Sequence, residues 1–143
     1  MDHDLDRFVA AQADGYAAAL AELRRGAKRG HWMWWIFPQL AGLGASPTSR
    51  HYGIASAAEA RAYLAHPLLG ARLIEATRTV TAAPGTAAAI MGSIDALKLR
   101  SSMTLFAAVA DDPEPFQGAL DRFYGGEGDP ITLGLLQTPS PRT

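Results

Sequence analysis

The sequence has no cysteine among its 143 residues. That removes disulfide frameworks, zinc–thiolate sites, iron–sulfur clusters and cysteine nucleophiles, and it suits a reducing compartment. Charge is sparse as well. Charged residues make up 19% of the chain, below the roughly 25% of an ordinary domain, and the formal net charge is -1. Such a balance gives no strong overall field for capturing nucleic acid or an anionic lipid surface, although a local patch is compatible with it. Long apolar runs are missing too: the longest, Trp32 to Phe37, is far short of the ~20 residues a membrane span needs. Met1-Asp2-His3-Asp4 lacks the basic-then-apolar order of a secretory signal. The expectation is a cytoplasmic protein of bacterial type. Alternating β-branched stretches, internal repeats and heptads are also absent, so little or no sheet is anticipated.

What is present is apolar spacing at three- and four-residue steps almost throughout. Leu5, Phe8 and Val9 share one side of a first helix, with Asp4 placed as its N-cap. Tyr16, Leu20 and Leu23 continue after Asp14, until Gly26 and Gly30 interrupt the pattern. Pro38 ends a short helix at Phe37. Residues 41–53 read as the longest irregular segment, of the kind that often carries function. Ser56 with Glu59 fits a capping box, Pro67 suits the first position of the next helix, and Thr86 caps a short helix closed by Gly92. Residues 95–109 read as a central helix, because Ala96, Leu97, Leu99, Met103, Leu105, Phe106 and Val109 leave little of it polar. Pro113 or Pro115 opens another helix, and Asp129-Pro130 begins a last one through Leu136. The fold class expected is all-α, a compact irregular array of about seven or eight short helices. It forms a single domain over 1–143, frayed at 1–3 and 138–143.

Three constellations carry chemistry. The first is His31-Trp32-Met33-Trp34-Trp35, where a continuous aromatic run cannot all face inward on one helix. One indole should reach a pocket or the surface, where it can stack a base, a ribose or a cation. Arg24, Arg25, Lys28 and Arg29 beside it read as a solvated helix end rather than a nucleic-acid platform. The second constellation is Lys98 to Thr104. Asp95, Lys98 and Ser102 share a helix face, so a serine–lysine pair is conceivable. The simpler reading pairs Lys98 with Asp95 and bonds Ser102 to the carbonyl four residues back. Asp95, Lys98, Arg100 and Ser101 are then candidates for holding a polar ligand. The third is Ser46 to Gly53, whose hydroxyls, arginine and amides suit a phosphate, without the glycine spacing of a nucleotide-binding loop. His3, His31, His51 and His66 show no metal-ligand spacing, so no metal is expected.

The run His31 to Leu40, followed by Gly42-Leu43-Gly44 and Ser46, resembles the family catalogued as Domain of Unknown Function 1810. Its members are small bacterial proteins that sometimes carry the label calpastatin. Tyr52-Gly53-Ile54, Glu59-Ala60, Tyr63-Leu64, His66-Pro67, Leu69-Gly70 and Lys98 to Phe106 extend the resemblance over nearly the whole chain. Trp35 departs from it mildly, standing where many members have phenylalanine. The resemblance implies an all-helical single domain and no established activity. The Glu59-Ala60 pair and the later helix are also similar to families that process ADP-ribose and related N-glycosides, but no catalytic residue carries over.

The function expected is a binding module for a phosphorylated or nucleotide-like small molecule. Its candidate ligand residues are His31, Trp34, Gln39, Ser49, Arg50, Tyr52, Lys98, Arg100 and Ser101. No cofactor, membrane or nucleic-acid partner is expected. One alternative is a hydrolase or glycosidase on an ADP-ribose-like substrate, with Glu59 or Asp95 as the carboxylate. The other is a protein-interaction module that uses an exposed tryptophan.

Overall fold

The computed structural model of the chain describes residues 4–137, so the fraying expected at 1–3 and 138–143 lies outside the described residues. Among the described residues ten helices follow one another: α1 (Asp6–Gln12), α2 (Tyr16–Arg25), α3 (Met33–Ile36), α4 (Pro47–Tyr52), α5 (Ala57–Ala65), α6 (Leu69–Ala82), α7 (Ala87–Met91), α8 (Ser93–Val109), α9 (Glu114–Tyr124) and α10 (Pro130–Gln137). The all-helical expectation holds, but the count exceeds seven or eight. Residues 13–15 separate α1 from α2, and α4 occupies what reads in sequence as an irregular loop. The signal for α4 is local. Ser46 accepts the Ser49 amide at 3.1 Å and Pro47 sits in the first turn, the arrangement that begins a helix.

Several other helix starts differ from their sequence reading. Leu5, not Asp4, precedes α1, with no side-chain cap. Pro67 lies outside α6. His66, at the end of α5, holds the turn before that helix: its Nδ1 accepts the amides of Leu68 and Leu69, each at 3.2 Å. The Ser56 hydroxyl accepts the Glu59 amide at 3.1 Å as a capping box requires, but the returning carboxylate takes the Ala55 amide at 2.7 Å. Thr86 caps α7 through the Ala89 amide.

The 17-residue α8 is the centre of the packing and touches α5, α7, α9 and α10. Leu99, Met103, Leu105 and Phe106 on it are fully buried. Leu97, expected in the core, is 66% exposed. A chain of aromatic contacts crosses the interior, from Phe8 to Tyr63 (5.1 Å), Tyr63 to Phe106 (5.6 Å) and Phe106 to Phe116 (5.8 Å). Large rings at such separations contribute burial, and the Phe8–Tyr63 pair adds edge-to-face attraction. Among the described residues the extended pairing is one isolated parallel bridge, Leu40 with Ile54. Ala41 donates to the Ile54 carbonyl at 2.7 Å and Ile54 to the Gln39 carbonyl at 2.8 Å. That bridge closes residues 41–53 into a loop whose two ends are fixed side by side. Among the described residues no helix is long and apolar enough to cross a membrane.

Candidate functional site

The site begins with Glu22 on α2. One of its carboxylate oxygens accepts the Arg29 amide at 2.7 Å, the Gly30 amide at 2.9 Å and the Trp32 indole N–H at 2.9 Å. Partial burial pushes this carboxyl up. The amides of Gly30 and Arg29, the Trp32 N–H and the Arg25 charge outweigh that and hold it below the usual glutamate range. The result is a shaped turn over 28–32 that carries the chain into α3.

Within that turn Lys28 points inward. Its side chain is 7% exposed, its ammonium lies 2.9 Å from Asp95 and 4.9 Å from the centre of the Trp32 ring, and it donates to the Gly30 carbonyl. The other oxygen of Asp95 lies 3.3 Å from Lys98. The Lys98 ammonium in turn sits over the Trp34 ring at 4.4 Å. Two lysines thus share one aspartate, and each also faces an indole. Burial alone would raise the Asp95 carboxyl, but Lys28 and then Lys98 hold it below the usual aspartate range. The group of three carries a surplus positive charge, and Lys98, with 26% of its side chain exposed, is the member that presents it to solvent.

Trp34 is half-buried. Its outer edge meets the 41–53 loop. A β-carbon on Gly44 would come within 2.9 Å of Ser49 and 3.4 Å of Trp34 Cη2, so only a residue without a side chain lets the loop backbone lie this close. Ser49 itself is buried and its hydroxyl donates to the Ser46 carbonyl at 2.8 Å. Gln39 is buried, and its Nε2 has no hydrogen-bond partner among the described residues.

The structure brings Trp34, Ser49 and Lys98 to one place by these contacts. It does not bring all the sequence candidates there. Arg100 donates to the carbonyls of Glu127 and Gly128, both at 3.1 Å. Ser101 shares its hydroxyl between the Leu97 carbonyl and Asp129. Both therefore brace the turn into α10. Tyr52 packs against Trp35 at 5.2 Å and Phe8 at 5.8 Å. His31 and Arg50 are exposed, and their side chains make no hydrogen bond or ion pair among the described residues. Four surface hollows, of about 400, 380, 220 and 210 Å³, have walls free of all nine candidates. The site is a cation held on an aromatic face rather than one of these cavities.

Neither reading of Ser102 survives. Its hydroxyl is fully buried and bonds neither Lys98 nor the carbonyl four residues back, whereas Ser101 and Thr104 do make that backward bond. Of the two carboxylates considered for hydrolysis, Asp95 is held ionised between lysines and is a poor proton donor near neutral pH. Glu59 is buried in an ion pair with Arg7 at 3.3 Å. Among the described residues no group of three or more His, Cys, Asp or Glu is placed to hold a metal ion. Sequence reasoning did not find Glu22 or the inward turn of Lys28. Both depend on partners brought in by the fold, and the basic run 24–29 masks the one lysine that leaves the surface.

The depressed carboxyls give a prediction with a sign. A group whose folded pKa lies below its unfolded value stabilises the fold above that unfolded value and loses the contribution as pH falls through the folded one. For Glu22, whose ordinary value is 4.5, the stabilisation is present at neutral pH and lost below about pH 4.5. Glu22→Gln should therefore be less stable than the parent in urea at pH 7, and the gap should narrow on acidification below that value. A gap independent of pH would mean that the Glu22 charge contributes nothing.

The Protein of unknown function (DUF1810) family model matches residues 2–136. The crystal structure of the conserved hypothetical protein Rv1873 from Mycobacterium tuberculosis is similar throughout. The two share 52% identity and a TM-score of 0.93, over 95% of this chain and 98% of that one. No curated protein matches the chain. With nearly its whole length matched by the family model, the chain belongs to the DUF1810 family.

Proposed function

We propose that the chain binds a phosphorylated or nucleotide-like small molecule at Trp34 and Lys98. The observation that carries this reading is the Lys98 ammonium held 4.4 Å over the Trp34 ring while it shares Asp95 with the better-buried Lys28. A phosphate draws on the surplus charge that Lys98 presents, and the part of the half-buried indole that Lys98 leaves uncovered is the proposed seat for a base or sugar. Arg50 supports the reading as a second cation. It is exposed and unpaired among the described residues, on a helix that packs against α3. His31, Gln39, Ser49 and Tyr52 remain proposed contributors around this pair; the Gln39 Nε2 is buried without a hydrogen-bond partner among the described residues. The Arg100 and Ser101 contacts described above leave those two residues outside the proposal.

Thermal-shift measurements with AMP, ribose 5-phosphate, adenosine and inorganic phosphate at millimolar concentrations test it. A ligand that binds only the folded state raises Tm. AMP is expected to stabilise more than adenosine or phosphate, because it alone of these three engages both the cation and the ring. Lys98→Ala and Trp34→Ala, both at partly exposed positions, should remove the AMP shift while retaining the parent's far-UV circular dichroism. No stabilisation by either phosphorylated probe, or a shift unchanged in Lys98→Ala, would overturn the reading.

A further inference from the structure

The hollow of about 400 Å³ lies among residues that the Trp34–Lys98 reading does not use. Its inner wall is apolar: Leu64, Ile74, Val109 and Phe116, one each from α5, α6, α8 and α9. Phe116 is buried and the other three are half-buried, so the wall is continuous with the core. The exposed lining is charged, with Arg61 against Asp111 and Asp112. No ion pair joins Arg61 to either aspartate among the described residues. Asp112 gives one oxygen to the Glu114 amide at 3.1 Å, and Asp111 has no hydrogen-bond or ion-pair partner among the described residues. The two aspartates outnumber the arginine, so the opening carries a net negative charge above an apolar floor.

We propose that this hollow binds a small amphiphilic amine, an apolar body about the size of one aromatic ring carrying a primary ammonium. The volume falls within the ~300–1,000 Å³ of ordinary small-molecule sites, and it exceeds what one ring fills. An apolar body gains by leaving water on the Leu64, Ile74 and Phe116 surface. The ammonium donates charge-assisted hydrogen bonds to the two carboxylates. An anion of the same shape meets two like charges for each opposite one, so the sign of the ligand is set by the rim. This separates the hollow from the cationic Trp34–Lys98 site, and neither proposal depends on the other.

The test compares 2-phenylethylamine, 2-phenylethanol and 3-phenylpropanoate on the full chain, read by methyl NMR at Leu64, Ile74 and Val109. The amine is expected to bind about tenfold more tightly than the alcohol, as one charge-assisted hydrogen bond implies, and the carboxylate most weakly. Asp111→Asn with Asp112→Asn replaces exposed side chains and retains an amide oxygen for the Glu114 cap, so the fold should persist while the preference for the amine disappears. Ala65→Trp, placed at an exposed lining position, should block the amine and the alcohol alike. Equal affinity for the three probes, preference for the carboxylate, or no methyl shift with the amine overturns the proposal. So does an amine preference unchanged in the double variant.

Discussion

Glu59→Gln should lower stability by about 3 kcal/mol, the low end of the cost of breaking a buried ion pair while leaving its partner in place. The side chains of Arg7 and Glu59 are 10% and 6% exposed, so the guanidinium left behind cannot turn into water freely. Arg7 does more than meet Glu59. Its Nε donates to the His51 carbonyl at 2.8 Å and one terminal nitrogen to the Gly53 carbonyl at 3.0 Å. The same pair therefore ties α1 to the end of the 41–53 loop, against which the Trp34 edge rests. Urea unfolding measures the cost, and limited proteolysis should show new cleavage within 41–53 in the variant. A loss under about 1 kcal/mol would place this pair with ordinary surface salt bridges. The same variant bears on a glycosidase reading, because the change removes a structural anchor whether or not any activity exists.

Gly70→Ala is expected to cost about 3 kcal/mol or more, in the upper range for overpacking. Helix propensity alone predicts the opposite, since alanine is better than glycine inside a helix by about 1 kcal/mol. Contact decides the sign. A β-carbon at Gly70 would lie 2.1 Å from the Leu64 carbonyl oxygen and 2.9 Å from its carbon. Those are backbone atoms and cannot rotate aside. The turn between α5 and α6 is already fixed by His66, whose carbonyl accepts the Gly70 amide at 2.9 Å and whose ring caps Leu68 and Leu69. Gly118→Ala in α9 is the control, since its nearest contact would be an ordinary 3.7 Å to the Glu114 side chain. It should be neutral or stabilising by up to about 1 kcal/mol. If both variants behave alike, the close approach at Gly70 is not a constraint.

These cases show where sequence reasoning reaches and where it stops. Local chemistry was legible. The Ser56 and Thr86 caps and the long apolar α8 follow from neighbouring residues; the two caps stand where their patterns place them, and α8 starts two residues before the expected Asp95. The Ser46-Pro47 start of α4 was equally local, but glycine and hydroxyl residues around it hid the helix. Contacts over long separations were not legible. Nothing near Lys28 marks it as a second lysine that joins Lys98 on Asp95, and nothing near Gly70 announces the Leu64 carbonyl. The placement of Arg100 is different in kind. It lies two positions from Lys98, ~200° around the helix, so helical geometry already argued against a shared face. The site candidates converged only in part for that reason. Trp34 and Lys98 meet through tertiary packing, whereas Arg100 and Ser101 are near Lys98 in sequence alone.

The most direct test of the Trp34–Lys98 reading is an NMR titration of the indole N–H signals with AMP. The Trp32 indole N–H is engaged by Glu22 at 2.9 Å and serves as an internal reference. The Trp34 signal should shift progressively and saturate while Trp32 stays nearly fixed, and Lys98→Ala should abolish the movement. A Trp34 signal that does not move at millimolar AMP, or that moves equally in Lys98→Ala, contradicts the account.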